Sequence, residues 1–355
     1  MVLSKLRRFI PLWAMESINH SFPHRIISRL RQKNQPISFS CELTTKCNIR
    51  CDFCTRTAYT EKGNKKEDFH VQDMADETID RVLEELAKFY NSGIPILFSP
   101  MGLGEPLIFG KLFEVFERVK KISPTIPINL TTNGITLNRD VSEKILAAGV
   151  DEISISLNAI NPFMYKDHMG IDKYEMVREN IQTLFEVRKK NRGKLPHIYI
   201  QYLDYDNNPK QFSKDARHWR KIMRDRDKCY THPILNHGGF YKNSNLIVTS
   251  PEHYPCNQPK NFIAIRVNGD LYPCCPAFYA GGERIESIYL GNIKSKSPFE
   301  MFNNNNSKTN EIVSCMRKND YTKLPTCEKC NTYRISTNIY FKLPFSLKLN
   351  GYKWI

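Results

Sequence analysis

Residues 47–54 read Cys-Asn-Ile-Arg-Cys-Asp-Phe-Cys, and this run places three of the chain's eleven cysteines in a C-x3-C-x2-C spacing. Three thiolates this close together can hold three corners of a cubane iron–sulfur cluster and leave the fourth iron open for a ligand. Cys47, Cys51 and Cys54 are therefore predicted metal ligands, with the aromatic Phe53 beside the open position. A structural zinc site would need a fourth protein ligand from elsewhere in the chain, and cysteines this close on a tight loop pair poorly as disulfides.

The region around these cysteines alternates strand-like and helix-like stretches from about residue 37 to 235. Apolar patterning predicts strands at 37–43, 95–99, 128–130, 152–157 and 198–203, with a weaker sixth strand near 233–235. Helical spacing predicts helices at 77–91, 110–121, 140–148 and 174–190. Repeated βα units predict an α/β fold, a partial (β/α)6 TIM-type barrel with right-handed crossovers. Chemistry in such barrels sits on loops that follow the strands, and the cysteine loop follows the first strand.

Polar and glycine-rich loops follow the next strands. Glycines allow close approach of the backbone to a ligand, and a carboxylate can support an ammonium group. Hydroxyl and amide groups can bond a ribose or a carboxylate, although each of these motifs is also compatible with an ordinary turn or a satisfied core amide. The loops in question are Gly102-Leu103-Gly104-Glu105-Pro106 after the second strand, Thr131-Thr132-Asn133-Gly134 after the third, Ser156 and Asn158 on the fourth, and Gln201 on the fifth.

The cysteine spacing and these loops together resemble the radical S-adenosylmethionine (SAM) enzymes. The resemblance implies that the open iron of a [4Fe–4S] cluster binds the amino and carboxylate groups of SAM. One electron then cleaves SAM to a 5′-deoxyadenosyl radical, which abstracts hydrogen from the substrate. Asn158 departs from the family, which often has an acid at this position. The cofactor-binding residues implied are Phe53, Gly102, Gly104, Glu105, Pro106, Thr131, Thr132, Asn133, Ser156, Asn158 and Gln201.

A second cysteine set follows about residue 250. Cys256 and Cys274 flank Gly269 in a C-x12-G-x4-C pattern, and Cys327 and Cys330 form a C-x2-C pair. The pattern resembles the SPASM and twitch modules of radical SAM enzymes, which implies a second, auxiliary [4Fe–4S] cluster held by these four residues. A four-cysteine zinc ribbon is the alternative that spacing leaves open. Cys275 and Cys315 are not assigned by the pattern.

Charge and composition divide the chain further. The predicted organisation is a basic amphipathic segment at 1–36, the core barrel at 37–250, the auxiliary module at 251–335 and a basic tail at 336–355. Of the net charge of +15, residues 1–36 carry +6 and the last fifteen residues +3. Such ends suit a membrane surface, a partner protein, an acidic substrate or a solvated helix packed on the barrel. We find no apolar run of the roughly 18 residues that a membrane span needs and no nucleic-acid-reading module.

The predicted function is that of a radical SAM enzyme in the cytoplasm, with peripheral membrane contact through the basic ends as an option. The auxiliary set is most similar to that of one-cluster enzymes that oxidise an alcohol of an aminocyclitol antibiotic precursor. This likeness implies oxidation of a sugar-like or aminocyclitol-like small molecule, fed by a flavodoxin- or ferredoxin-like electron donor. The alternatives are radical modification of a peptide or protein side chain and, from another class, a non-enzymatic metal-cluster scaffold. No catalytic residue is assigned, but the candidates for a base are Tyr202, Asp204, Tyr205, His237 and Tyr241.

Overall fold

The computed structural model describes residues 36–60, 69–191, 195–203, 209–232, 234–241, 256, 258–281, 283–303, 307–331, 348–349 and 352–354. Residues 1–35 of the predicted basic segment and much of the predicted tail lie outside them. The strands are β1 (Ile37–Cys41), β2 (Ile96–Pro100), β3 (Asn129–Thr132), β4 (Glu152–Asn158), β5 (His197–Leu203), β6 (Lys228–His232), β7 (Phe262–Ile265), β8 (Asp270–Tyr272), β9 (Gly291–Asn292), β10 (Lys348–Leu349) and β11 (Tyr352–Trp354). The α-helices are α1 (Thr55–Thr60), α2 (Asp76–Asn91), α3 (Leu112–Ile122), α4 (Arg139–Ala147), α5 (Pro162–Met169), α6 (Tyr174–Lys190), α7 (Pro209–Arg220), α8 (Gln258–Asn261), α9 (Pro298–Asn303), α10 (Lys308–Arg317) and α11 (Pro325–Lys329).

The first six strands lie side by side in chain order and run parallel. β1 pairs with β2, and β3 to β6 pair in sequence. A parallel bridge between Phe98 and Ile128 connects β2 to the start of β3 and closes the gap between the two groups. This order confirms the partial (β/α)6 barrel, and it brings the carboxyl ends of six strands to one face.

The core lies between the strands and the helices that cover them. On β4, Ile153, Ile155 and Leu157 are fully buried, whereas Ser154 and Ser156 on the opposite face are half-buried. α2 buries a stripe that includes Leu86 and Phe89. Each such side chain contributes roughly 1.5–3 kcal/mol on burial, so the apolar period of the sequence dictates which face of each element points to the core.

The sixth strand was predicted at the wrong place. It is β6, at Lys228–His232, and it ends before the stretch near 233–235 that the sequence favoured. Its alternate residues Cys229 and Thr231 are buried, whereas Tyr230 and His232 line a cavity. A short strand with polar residues on its inner side lacks the apolar signal on which the prediction depended.

The cysteine-rich region after residue 250 extends the barrel sheet as well as packing on it. In this region β7 and β8 pair antiparallel as a hairpin. β7 also pairs parallel with β1, on the side opposite β2. Behind this hairpin, Tyr272, Phe278 and Ile312 belong to a second apolar cluster that also packs against the auxiliary cysteines.

The basic C-terminal end contributes strands instead of only a tail. β10 and β11 form an antiparallel pair, and β11 pairs antiparallel with β6. The edge of β6 would otherwise expose a row of unpaired backbone groups, and β11 covers it. Within the described part of the chain, no helix combines the length and apolar character needed to cross a bilayer.

Candidate active site

A cavity of about 410 Å³ opens at the carboxyl ends of the barrel strands. Cys47, Cys51 and Cys54 line it together, as the sequence predicted for a three-thiolate site. Of the eleven residues predicted to bind the cofactor, ten line the same cavity. The exception is Pro106, which is buried at the start of a short 3-10 turn and supports the loop from behind.

The cysteine loop is held in place by α5, a helix that the sequence analysis did not predict. The backbone N–H of Arg50 donates to the carbonyl of Met169 at 3.2 Å, and that of Asp52 donates to the carbonyl of His168 at 3.0 Å. The side chains of Asp52 and His168 also pair, with Oδ2 2.8 Å from Nδ1. The loop therefore has a defined shape in the protein itself. The proline at the start of α5 and the glycine after it are the signals that could have located this helix.

Burial controls the protonation of the three thiols. Desolvation raises the pKa of Cys47 to about 11 and also raises the pKa values of Cys51 and Cys54. At Cys54 this rise is opposed by backbone N–H groups of Arg56 and Thr57, which donate to the sulfur. A thiol loses its proton when its sulfur binds a metal. Metal binding therefore offsets the cost that burial places on the thiolate form of these three cysteines.

The glycine-rich loop packs directly on the cysteine loop. A Cβ atom on Gly104 would lie 2.1 Å from the carbonyl oxygen of Thr44, and one on Gly102 would lie 2.5 Å from Cγ of Glu42. The N–H of Glu105 donates to the carbonyl of Lys46 at 2.8 Å. The two glycines were expected to admit a ligand, and the structure shows that they also allow the two loops to touch.

The Glu105 carboxylate joins the loops after β2 and β3. It accepts hydrogen bonds from Oγ1 of Thr132 and from the N–H of Asn133, both at 2.7 Å, and from the N–H of Leu107 at 3.1 Å. Burial raises the pKa of Glu105 to about 7, against the effect of these donors. These bonds join the two loops through Glu105, and the expected contact of this carboxylate with an ammonium group stays a prediction.

One polar side-chain atom in the cavity has no hydrogen-bond donor within the protein, and a ligand could supply one. Oδ1 of Asn158 is buried with no hydrogen-bond partner, while Nδ2 lies 3.9 Å from the sulfur of Met169. Asn158 also has a φ of 56°, in the left-handed region that asparagine adopts more readily than most non-glycine residues. A buried unsatisfied acceptor costs about 1–3 kcal/mol. Together with three convergent thiols, this orphaned acceptor fits a cluster-bound cofactor that carries its own donors.

The cavity lining also contains polar residues that the sequence did not predict. Tyr230, His232 and Tyr279 belong to it, as does the predicted Gln201. The hydroxyl of Tyr230 donates to Oε1 of Gln201 at 3.1 Å. The location of Tyr230 and His232 on β6 explains the omission, since that strand was misplaced.

Among the described candidates for a base, His237 is the one that lines the cavity. Its ring stacks on Tyr279 with centroids 3.5 Å apart. Burial, with a smaller contribution from His232, lowers the pKa of His237 to about 3, so the imidazole is neutral. Tyr202 instead donates to Asp215 and accepts from Trp219 behind the sheet, and Tyr241 packs with Leu203 and Ile234. Asp204 and Tyr205 lie outside the described residues.

A second, small cavity of about 30 Å³ brings the four predicted auxiliary ligands together: Cys256, Cys274, Cys327 and Cys330. Cys275, directly after Cys274, lines the first cavity instead, and Cys315 lines neither. Gln258 and Pro276 border both cavities, so the wall between them is thin. All eleven cysteines are free thiols.

Single metal ions need closer ligands than a cubane cluster does. No group of three His, Cys, Asp or Glu side chains within the described ranges converges tightly enough for one ion. In a cubane, each cysteine binds a different iron, so its ligands stand further apart.

Comparison with protein-family models gives two matches. Residues 41–206 match the model of the radical SAM superfamily, and residues 256–331 match an iron–sulfur cluster-binding domain named SPASM. The first match contains the cysteine loop and the loops after β2 to β4, and the second contains the four cysteines of the small cavity. These models imply a SAM-binding [4Fe–4S] cluster and auxiliary iron–sulfur binding.

Relatives and solved structures agree with this architecture. A "Probable GTP 3′,8-cyclase" of Methanococcus maripaludis is 29% identical over 185 residues, which cover 52% of this chain and 55% of that protein. The chain thus spans about half the length of the curated relatives it matches. The structure of BtrN in complex with AdoMet and 2-DOIA has a TM-score of 0.57 at 17% identity, covering 88% of this chain and 98% of that one. The structure of Streptococcus suis SuiB bound to precursor peptide SuiA has a TM-score of 0.59 at 13% identity, and the match covers 81% of this chain and 70% of SuiB.

Proposed function

We propose that this chain, which belongs to the radical SAM superfamily, oxidises an alcohol of a sugar-like or aminocyclitol-like small molecule by hydrogen abstraction. When bound, a [4Fe–4S] cluster with SAM supplies a 5′-deoxyadenosyl radical, and an auxiliary cluster supplies an electron acceptor. Cys47, Cys51 and Cys54 would hold the first cluster. Cys256, Cys274, Cys327 and Cys330 would hold the second.

The observation that carries this proposal is the shared wall of the two cavities. Cys274 lines the auxiliary cavity and Cys275 lines the main cavity, with Gln258 and Pro276 bordering both. Removing one hydrogen atom from a carbinol carbon leaves a radical that must lose one further electron and one proton to become a carbonyl. A site for an electron acceptor directly behind the substrate cavity supports an oxidation, because the electron has a short distance to travel.

His237 is the residue that we propose to accept the proton. Its imidazole is uncharged and faces the cavity, so one ring nitrogen carries a lone pair. Its low pKa makes it a weak base at rest, but the α-hydroxyl of a carbon radical is far more acidic than that of an alcohol, which reduces the basicity required. Gln201 and Tyr230 can orient the reacting hydroxyl, since amide and phenol groups both donate and accept.

The size and lining of the main cavity support a small polar substrate. Its volume falls within the range of about 300–1,000 Å³ that is usual for ligand sites, which it would share with SAM. The described lining combines amide, phenol, imidazole and thiol groups with apolar side chains such as Leu203 and Ile234, so it can bond the hydroxyl groups of a substrate and pack against its carbon skeleton. The flavodoxin- or ferredoxin-like donor and membrane contact through the basic ends stay predictions.

The test starts with protein purified and reconstituted without oxygen. We expect the wild type to bind two clusters, and to convert SAM to 5′-deoxyadenosine after reduction with dithionite. The variant Cys51→Ala/Cys54→Ala should retain the auxiliary cluster and form no 5′-deoxyadenosine. A colourless wild-type protein with stoichiometric zinc would refute the proposal in favour of a scaffold.

Substrate class is tested next with a panel of deuterated cyclitols and sugar alcohols, using 5′-deoxyadenosine formation as the readout. Transfer of deuterium from a carbinol carbon, with an equal yield of ketone, supports alcohol oxidation. Transfer only from added peptides would instead support side-chain modification. In His237→Gln, we expect ketone formation to fall at least tenfold while SAM cleavage falls less, because the residue acts after hydrogen abstraction.

A further inference from the structure

Arg56 is a buried cation for which the described residues provide no ion-pair partner. It lies on α1, two residues after Cys54, and is 9% exposed. Its Nε donates to the carbonyl of Thr45 at 2.7 Å. No described carboxylate lies within ion-pair distance of its guanidinium, and no described residue accepts a hydrogen bond from its terminal nitrogens.

The other two buried arginines of the described chain have oxygen acceptors for their terminal nitrogens. Arg188 forms a two-pronged ion pair with Asp227, at 2.7 and 2.6 Å. Arg266 donates to the carbonyls of Ala277 and Glu283 and stacks on an aromatic ring. Taking an ion out of water costs several kcal/mol unless an opposite charge and hydrogen bonds compensate it. Arg56 therefore indicates a negative group that the described carboxylates do not supply.

The position of Arg56 indicates where this negative group lies. Arg56 lines the main cavity beside all three of its cluster cysteines, and it is the one lysine or arginine in the described lining. Glu105, the carboxylate of the same lining, already accepts three hydrogen bonds from the loops around it. The remaining source of negative charge in this wall is the set of three thiolates and the cluster that they would hold.

We infer that the positive charge of Arg56 stabilises the reduced state of a cluster held at the three-cysteine site. Reduction adds one electron from an external donor and so increases the negative charge beside the guanidinium. In a buried, poorly screened site, a neighbouring cation then favours the reduced over the oxidised form. The inference rests on the proposed function only for the presence of that cluster.

The test is a redox titration of reconstituted full-length protein, followed by electron paramagnetic resonance without SAM or substrate. The signal of the three-cysteine site is identified by its absence in Cys51→Ala/Cys54→Ala. In Arg56→Gln we expect the ratio of reduced to oxidised cluster at a given potential to fall at least tenfold, a shift of 59 mV for one electron. Arg56→Lys, which keeps the charge, should remain within threefold of the wild type.

Arg50 provides a matched control. It lies in the same cysteine loop, next to Cys51, but is exposed. Arg50→Gln removes the same formal charge from a site that water and salt screen, so we expect less than a threefold change. An equal shift in Arg50→Gln and Arg56→Gln would show that burial of Arg56 plays no part and would overturn the inference.

Other outcomes are equally decisive. An unchanged potential in Arg56→Gln with its cluster bound refutes the inference. A shift seen only after SAM is added refutes it too, because the guanidinium would then act on the cofactor's carboxylate.

Cluster loading gives a second readout. Arg56→Gln could bind only the auxiliary cluster. If Arg56→Lys then binds both clusters, the positive charge is required to hold the first one. Failure of both variants to load it would identify a purely structural contact with Thr45. A wild type that cleaves SAM while Arg56→Gln keeps its potential refutes this inference and leaves the proposed function intact.

Discussion

Replacing Gly104 with alanine should separate the two loops that form the cofactor side of the cavity. A Cβ atom at this position would lie 2.1 Å from the carbonyl oxygen of Thr44 and 2.7 Å from that of Lys46. Ordinary contact starts at 3.4 Å, so the first distance is more than 1 Å too short. Both clashing atoms belong to the backbone and cannot move aside as the end of a side chain would, so one loop must shift as a unit.

The magnitude follows from the contacts that this shift disrupts. Inserting a methyl group into a packed site costs about 1–3 kcal/mol. The same shift stretches the 2.8 Å hydrogen bond from the N–H of Glu105 to Lys46, which contributes about 1 kcal/mol. We therefore expect the free energy of unfolding to fall by about 2–4 kcal/mol. Because Glu105 also bonds Thr132 and Asn133, the displacement extends to the loop after β3 and should weaken SAM binding at least tenfold.

Urea unfolding of the reduced apo-protein, followed by circular dichroism, measures the stability change. Calorimetric titration of reconstituted protein with SAM measures affinity. Gly110→Ala is the matched control, because a Cβ there meets nothing within 4 Å. If Gly104→Ala unfolds within 0.5 kcal/mol of the wild type, or Gly110→Ala loses as much stability, the steric reasoning is wrong.

Three further outcomes are expected. Arg188→Met leaves the buried Asp227 carboxylate without its ion-pair partner. We expect the free energy of unfolding, measured by urea titration, to fall by about 3–5 kcal/mol. An unchanged free energy of unfolding would mean that water reaches the pair. The Asp227 pKa is below its usual range because hydrogen bonds and the charge of Arg188 outweigh burial, so its stabilisation is present at neutral pH and is lost as pH falls through that lowered value. Acid unfolding curves should show this loss in the wild type and a smaller one in Asp227→Asn. Cys275→Ala and Cys315→Ala should retain the iron of both clusters, whereas Cys327→Ala should lose that of the auxiliary cluster, and loss of auxiliary iron from Cys275→Ala would contradict the separation of the two cavities.

The barrel was predictable because its strands are apolar on the side that faces the helices. β4 and β5 bury every second residue completely, and that period is visible in the sequence. β6 was misplaced because its inner residues, Tyr230 and His232, line the cavity and leave no apolar period. The pairing of β7 with β1 and of β11 with β6 joins residues more than 100 positions apart, and no local pattern encodes such contacts.

Local spacing predicted that the members of each cysteine set lie together, and the structure groups the two sets in two cavities. Spacing could not assign Cys275 to either cavity, because Cys275 is adjacent to Cys274 and a spacing that fits one nearly fits the other. Only the extended backbone at Cys274 turns the two side chains towards different cavities. The same holds for Glu105, whose carboxylate proved to bond Thr132 and Asn133.

The amino-acid order alone therefore determined the class of chemistry, because three thiols within eight residues and a second set of four restrict the metals that can bind. Tertiary structure alone decided which groups share a cavity: the neutral imidazole of His237, the orphaned Oδ1 of Asn158 and the guanidinium of Arg56, which has no ion-pair partner among the described residues. The physical reason is that burial and electrostatic pairing are properties of neighbours in space, which the spacing of residues along the chain does not specify.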